Sequence, residues 1–337
     1  MKKYQRLAQQ IISQIELGVW LPGDKLPSLR EQVASSGMSF MTVGHAYQML
    51  ESQGRIVARP QSGYYVASRP TAQQPAPPAQ VMRDEAVDIN TYIFEVLQAS
   101  RDPSVVPFAS AFPDPRLFPL QQLNRSLANV SKTATAMSVI ENLPPGNVDL
   151  RHAIARRYAQ QGMNISPEEI VITAGALEAL NLSLQAVTEP GDWVIVENPC
   201  FYGALQALER LKLKALAIAT DVREGIDLNA LEQALNDYPV KACWIMTNSQ
   251  NPLGFTLSAE KKAQLVALLT RHNVPLIEDD VYSELYFGRE KPLPAKAWDR
   301  QDMTLHCSSF SKCLVAGFRI GWVAAGKHAR RIQQLQL

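Results

Sequence analysis

From about residue 170 onward the chain repeats one pattern: a short apolar run, a turn, then a helical stretch. The apolar runs lie at 170–173, 193–197, 213–219, 242–247, 274–278, 303–307 and 318–324. Helical periodicity fills most of the gaps, as at 177–187, 203–211, 228–236 and 259–272. Strands joined through helices pair mainly in parallel, and the helices cover both faces of the sheet. This predicts an α/β unit with about seven mostly parallel strands. In such sheets ligands gather at the C-terminal strand ends and in the loops that follow.

Those loops carry the chemistry-bearing residues. The first run leads into Thr173-Ala174-Gly175-Ala176-Leu177-Glu178, a small-residue turn opening a helix. The free N–H groups of this turn and its helix dipole would suit a phosphate. The second run is followed by Asn198-Pro199-Cys200-Phe201-Tyr202, which brings two rings to the same edge. The fourth ends in Asn248-Ser249-Gln250-Asn251-Pro252-Leu253-Gly254, where Asn251 can donate to an oxygen. The fifth ends in Glu278-Asp279-Asp280-Val281-Tyr282. A carboxylate at that depth is costly unless paired. Asp279, with Tyr282 three residues on, could hold a cationic ring nitrogen and a phenolic oxygen. The sixth leads to Ser308-Ser309-Phe310-Ser311-Lys312, then Gly317-Phe318-Arg319-Ile320-Gly321-Trp322. A lysine amine can form a Schiff base with an aldehyde, and hydroxyls with an arginine serve a phosphate. Singly, each feature has a plainer reading as a turn, a core ring or a solvated charge.

The first 70 residues read differently. Leu7, Ile11, Ile12 and Ile15 share one helical face. Ser28, with Glu31 three residues on, forms a capping box for a second helix ending at Gly37. Ser39 can cap a third helix, with Val43, Ala46, Tyr47 and Leu50 inward and Gly54 at its end. Residues 56–59 and 63–66 then read as two strands about a turn. Three helices and a two-stranded wing make a winged helix-turn-helix, whose third helix enters a major groove. Residues 68–82, rich in Pro, Ala and Gln, read as a linker. The expected division is 1–69, linker 70–84, and 85–337.

Charge follows the same division. Net charge is +1, yet residues 1–70 hold eight Lys/Arg and four acids, leaving 25 against 28 in the rest. A basic first unit on a mildly acidic body suggests an anionic partner for the first unit alone. Four cysteines form no CxxC pair, and buried reduced thiols are expected. The polar N-terminus is unlike a signal peptide. No apolar run approaches the roughly 18 residues a membrane span needs, so a cytoplasmic protein is expected.

Pro22-Gly23-Asp24-Lys25-Leu26-Pro27-Ser28-Leu29-Arg30, Thr42-Val43, Gly54 and the wing resemble the GntR-family DNA-binding domain. That resemblance implies a double-stranded DNA operator facing Ser28, Arg30, Ser39, Phe40, Met41, Thr42, His45, Ser62 and Gly63. The sequence departs from the family at Phe40, where arginine is usual, and at Gly44, where a long polar residue is common. A lost arginine–guanine contact costs roughly 1–3 kcal/mol of discrimination, and Phe40 is suited to a thymine methyl instead.

The order of the later motifs resembles the class I (fold type I) pyridoxal 5'-phosphate (PLP) aminotransferases across about residues 90–337. Joined to the winged helix, the whole resembles MocR-type transcriptional regulators. The resemblance implies that Lys312 forms the Schiff base and Asp279 pairs with the ring nitrogen. It implies that Tyr282 and Asn251 hold the phenolic oxygen. Phe201 would stack on the ring, with Tyr202 one residue out of the usual spacing. Gly175, Ala176, Leu177, Ser309, Ser311 and Arg319 would hold the phosphate. It further implies a homodimer and a small amine, amino acid or vitamin B6 effector, or else an amino acid aminotransferase. Ala316 stands where proline is usual, and Glu141 where a tyrosine is common. Relatives continue past the position of Leu337 with a small domain and a substrate-carboxylate arginine. A chain truncated after its large domain is therefore expected, and that arginine has no candidate here.

Overall fold

The computed structural model describes residues 2–67, 89–99, 102, 104–106, 111–135, 138 and 143–337. The expected linker 70–84 and the tyrosine position occupied by Glu141 lie outside the described residues. The chain divides into two compact units, Met1–Ala76 and Pro77–Leu337.

In the first unit, helices α1 (Lys3–Glu16), α2 (Leu29–Ser36) and α3 (Phe40–Ser52) precede strands β1 (Ile56–Arg59) and β2 (Gly63–Val66). The caps follow from local chemistry. Ser28 Oγ accepts from the Glu31 amide at 3.3 Å while the Ser28 amide donates to Glu31 Oε2 at 2.7 Å. Two otherwise unsatisfied N–H groups are thereby paired. Gly37 ends α2 at φ 64°, a left-handed conformation that glycine adopts without steric cost. Leu7, Ile11, Val43, Ala46, Tyr47 and Leu50 close one core with Ile56 and Val66. Tyr47 is fully buried and its hydroxyl donates to the Pro27 carbonyl at 2.8 Å. The wing strands pair antiparallel, Ile56 opposite Val66. The Lys25 region bridges to Tyr65 as a short third edge.

The second unit begins with α4 (Ile89–Ala99), α5 (Leu120–Thr133) and α6 (Val148–Gln160). The alternating part follows: β3 (Ile170–Thr173), α7 (Ala176–Val187), β4 (Trp193–Asn198), α8 (Tyr202–Arg210), β5 (Lys214–Asp221) and β6 (Gly225–Ile226). It continues through α9 (Leu228–Asp237), β7 (Val240–Ile245), α10 (Ala259–Arg271), β8 (Leu276–Asp279), β9 (Thr304–Ser309), β10 (Gly321–Ala324) and α11 (Ala329–Leu335). Among the described residues, the sheet has eight strands in the order β3-β10-β9-β8-β7-β4-β5-β6. The central pairs β9–β8, β8–β7, β7–β4 and β4–β5 are parallel. Strand β10 runs antiparallel to both its neighbours, and β6 is a short antiparallel addition. The parallel-sheet expectation holds, with β6 an addition. Two residues of β6 are too few to register as a periodic run.

Successive residues in a strand face opposite sides. Val194, Val196, Trp244, Ile277, Leu305 and Val323 therefore face α7, α8 and α11 in one core. Ile195, Cys243, Ile245 and Leu276 face α9 and α10 in another, and Ile170, Trp322 and Ala324 pack on α6. Strand β7 ends two residues earlier than expected, so Met246 and Thr247 lead into the loop carrying Asn251. The last strand is shorter than expected. The chain turns over 316–319 instead, where Arg319 sits at φ 51° and its amide bonds back to the Ala316 carbonyl, and the strand starts only at Gly321.

Candidate functional site

A cavity of about 530 Å³ opens at the C-terminal edge of the sheet in the second unit. Its walls include Leu177, Phe201, Asn251, Asp279, Tyr282, Ser309, Ser311, Lys312 and Arg319. Loops separated by well over a hundred residues thus converge on one space.

Asp279 is the last residue of β8 and 2 % exposed. Its Oδ1 has no hydrogen-bond partner. Burial, reinforced by the charge of Asp280, pushes its carboxyl up to about 7. A buried, unpartnered acceptor of this kind favours an N–H donor, above all a cationic one. Lys312 follows β9. Burial lowers its proton affinity, with Asp279 acting in the opposite sense. Its Nζ donates to the Ala111 carbonyl at 3.1 Å and lies 4.2 Å from the Phe112 ring centre and 5.6 Å from that of Tyr282. An amine with depressed proton affinity is a better nucleophile.

Tyr282 is pushed up to about 12, first by burial and then by Asp279, against a hydrogen bond from Asn251. These two side chains are therefore paired, as their loop positions required. Phe201 and Tyr202 both line the cavity, their ring centres 4.6 Å apart and tilted by 50°.

At the turn between β3 and α7, Gly175 is held at φ 100°. A Cβ there would lie 2.5 Å from Arg319 Nη2. Arg319 itself donates to the Ala174 carbonyl at 3.1 Å. A Cβ on Gly321 would run into the Gly175 and Ala176 backbone. The guanidinium, the glycine turn and β10 are thus pressed together around the first N–H groups of α7. Ser311 Oγ is buried without a partner, and Ser309 Oγ accepts from the Ser311 amide at 3.4 Å. Amides at a helix start, an arginine and two hydroxyls suit a dianion.

In the first unit, Phe40 (52 % exposed) and Met41 (68 %) project from the start of α3. Arg30 and His45 are exposed, and Thr42 is half-buried. His45 also meets the Tyr4 ring edge-on at 5.9 Å. Ser28 and Ser39 each serve as helix caps, accepting from the Glu31 and Thr42 amides. On the wing, Ser62 pairs with the Tyr65 hydroxyl at 2.6 Å, Gly63 stands at φ 112°, and Arg59 stacks on Tyr65 at 4.3 Å.

Sequence reasoning missed Ala111 and Phe112 at the lysine, because no period marks an irregular segment. It also missed a buried polar layer of Asn248, Lys262, Asp280, His306, Tyr158 and Trp322 behind the site. Two signals existed: His306 lies inside an apolar strand, and Lys262 lies on the apolar stripe of α10 with Leu265, Val266 and Leu269. All four cysteines are free, with Cys243 and Cys307 buried and Cys200 and Cys313 half-buried. Among the described residues, no helix is long and apolar enough to cross a membrane, and no cluster suits a metal ion.

Comparison with known proteins accords with both units. Residues 3–66 match the bacterial regulatory proteins, gntR family, and residues 119–337 match aminotransferase class I and II. The uncharacterized HTH-type transcriptional regulator YdcR of Escherichia coli (strain K12) is 82% identical over 337 residues, covering 100% of this chain and 72% of that protein. YjiR of the same organism, also described as an uncharacterized HTH-type transcriptional regulator, is 37% identical over 338 residues, with the same two coverages. Kynurenine aminotransferase of Pyrococcus horikoshii, solved in complex with PMP, superposes with a TM-score of 0.67 at 26% identity. That match covers 75% of this chain and 63% of the enzyme. The chain therefore belongs to the MocR-like family of HTH-type regulators, which join a gntR-family domain to an aminotransferase class I and II domain.

Proposed function

We propose that the protein is a DNA-binding transcriptional regulator whose second unit holds PLP and senses a small amine or amino acid. One observation carries this reading: the buried, unpartnered Asp279 Oδ1 shares a cavity with Lys312, Arg319 and the Ala176–Leu177 helix start. An acceptor, an amine and an anion cradle in one cavity match the ring nitrogen, aldehyde and phosphate of PLP. PMP, the amine form of the same cofactor, occupies the related kynurenine aminotransferase, which supports the reading.

When bound, PLP supplies an aldehyde and an electron-withdrawing ring. Lys312 is the residue proposed to hold it covalently, as an amine whose proton is readily released. Asp279 keeps a proton on the ring nitrogen. Asn251 and Tyr282 donate to the ring oxygen. Phe201, or Tyr202 beside it, covers one ring face. Gly175, Ala176, Leu177, Ser309, Ser311 and Arg319 bind the phosphate. An effector amine would compete with Lys312 for the aldehyde. Its effect on DNA then requires different affinities for the two states of the protein. Arg30, Phe40, Met41, Thr42, His45, Ser62 and Gly63, with the cap residues Ser28 and Ser39, form the proposed DNA face. A homodimer and a cytoplasmic location complete the proposal.

The test is borohydride reduction of the protein mixed with PLP. The wild type is expected to retain the cofactor covalently, with the matching visible absorption band, and Lys312→Ala to retain none. A persistent band and covalent label in the variant would refute Lys312. A second reading, an amino acid aminotransferase, draws on the same cavity and on the fold shared with kynurenine aminotransferase. Sustained product beyond one equivalent, from amino acids and a 2-oxo acid, would favour it over the sensor.

A further inference from the structure

Behind the cavity, on the opposite face of the sheet from Asp279, lies a chain of buried polar groups. Trp322 Nε1 is 2.9 Å from Tyr158 Oη, Tyr158 Oη is 2.7 Å from His306 Nδ1, and His306 Nε2 is 2.9 Å from Asp280 Oδ2. From the other side, Lys262 Nζ donates to Asn248 Oδ1 at 2.6 Å, and Asn248 Nδ2 donates to Asp280 Oδ1 at 2.9 Å.

With a neutral imidazole at His306, the direction of every bond follows from the ends. An indole N–H and an ammonium donate only, and a carboxylate accepts only. Trp322 therefore donates to Tyr158, the Tyr158 hydroxyl donates to His306 Nδ1, and His306 Nε2–H donates to Asp280. Lys262 likewise turns the Asn248 oxygen toward itself and the amide N–H₂ toward Asp280. Two arms of donors converge on one carboxylate. Its backbone is held too: the Asp280 amide donates to the Cys307 carbonyl at 2.9 Å, and its carbonyl accepts from Ser308 Oγ at 2.9 Å. The residue next to Asp279 is thus fixed at side chain, N–H and C=O. An apolar layer would stabilise the sheet about as well. A fully satisfied polar one adds a single geometry.

We infer that Trp322, Tyr158, His306, Asn248 and Lys262 form a relay converging on Asp280 that positions Asp279 for the ring nitrogen of the cofactor. These are positioning residues, since none of the relay side chains lines the cavity. The inference rests on the cofactor reading above for its purpose, but the direction of the relay does not.

The test therefore has two parts on the full chain. The first is NMR of protein labelled with ¹⁵N-histidine, without added cofactor. At neutral pH His306 is expected to carry its proton on Nε2 with Nδ1 bare. A proton on Nδ1, or on both nitrogens, overturns the relay. The second is PLP affinity, with thermal unfolding in parallel. Tyr158→Phe removes the central donor and is expected to weaken PLP binding about tenfold, the scale of one lost hydrogen bond to a charged network. His306→Gln is expected to bind PLP nearly as the wild type does, because its amide can donate to Asp280 and accept from Tyr158. Should Tyr158→Phe not fold, His306→Asn, too short to span both partners, provides the contrast with His306→Gln. Wild-type affinity in the broken variants, or equal loss in His306→Gln, overturns the positioning role. A wild type that takes up no PLP refutes the cofactor reading and the positioning role together, while the His306 tautomer still judges the relay.

Discussion

Asp279 is the residue on which the candidate site depends most. Free of its surroundings an aspartate titrates near its ordinary value of 3.8, and burial with the neighbouring Asp280 charge pushes it up to about 7. Between those values the folded chain keeps a proton that the unfolded chain has released. The stability tied to that proton is present below about pH 4 and fades as pH rises through about 7. Asp279→Asn has no charge to bury. Without cofactor it is expected to melt above the wild type near pH 8, with the difference shrinking toward pH 5. An equal difference at both pH values would mean that Asp279 is not the buried acid described here. Sequence alone placed this carboxylate in a loop beside a strand end. Its orphaned oxygen and its altered proton affinity come from burial, which no local pattern encodes.

At the scale of elements, β10 meets the β3–α7 turn backbone against backbone at Gly321. Strand β10 is antiparallel to β3, with Gly321 opposite Thr173. The Gly175 backbone leaves no space for a Cβ there. Gly321→Ala forces a backbone shift and is expected to cost about 1–3 kcal/mol of stability, measured by denaturant unfolding. Weaker retention of phosphate-bearing ligand should accompany it, since Arg319 moves with the strand. Unchanged stability would contradict the packing. In the first unit, Ser28→Ala removes the hydroxyl half of the capping box on α2, leaving the amide bond to Glu31, and is expected to cost about 1 kcal/mol. Both glycines at the turn and both serine caps were visible as residue types in the right order. That Arg319 would leave the strand for a left-handed turn was not, because its partner, Ala174, is 145 residues away in sequence.

For the whole molecule, charge and fold divide the work. The basic first unit is expected to bind duplex DNA with a marked salt dependence. Arg30→Ala should weaken binding across sequences and reduce the salt slope by about one, read by titrations at several salt concentrations. An unchanged slope would remove Arg30 from the DNA face. By itself, the sequence determined the two-part plan, the parallel sheet and most of the loops that meet at its edge. Hydrophobic period, turn residues and helix caps are local, so they are readable in order along the chain. The tertiary structure alone decided which buried polar groups found partners. Asp280, His306, Tyr158, Trp322, Asn248 and Lys262 come from separate elements and look like unrelated core or surface residues until the strands are stacked. A hydrogen bond inside a protein depends on distance and direction between distant segments, and neither exists before the chain has folded.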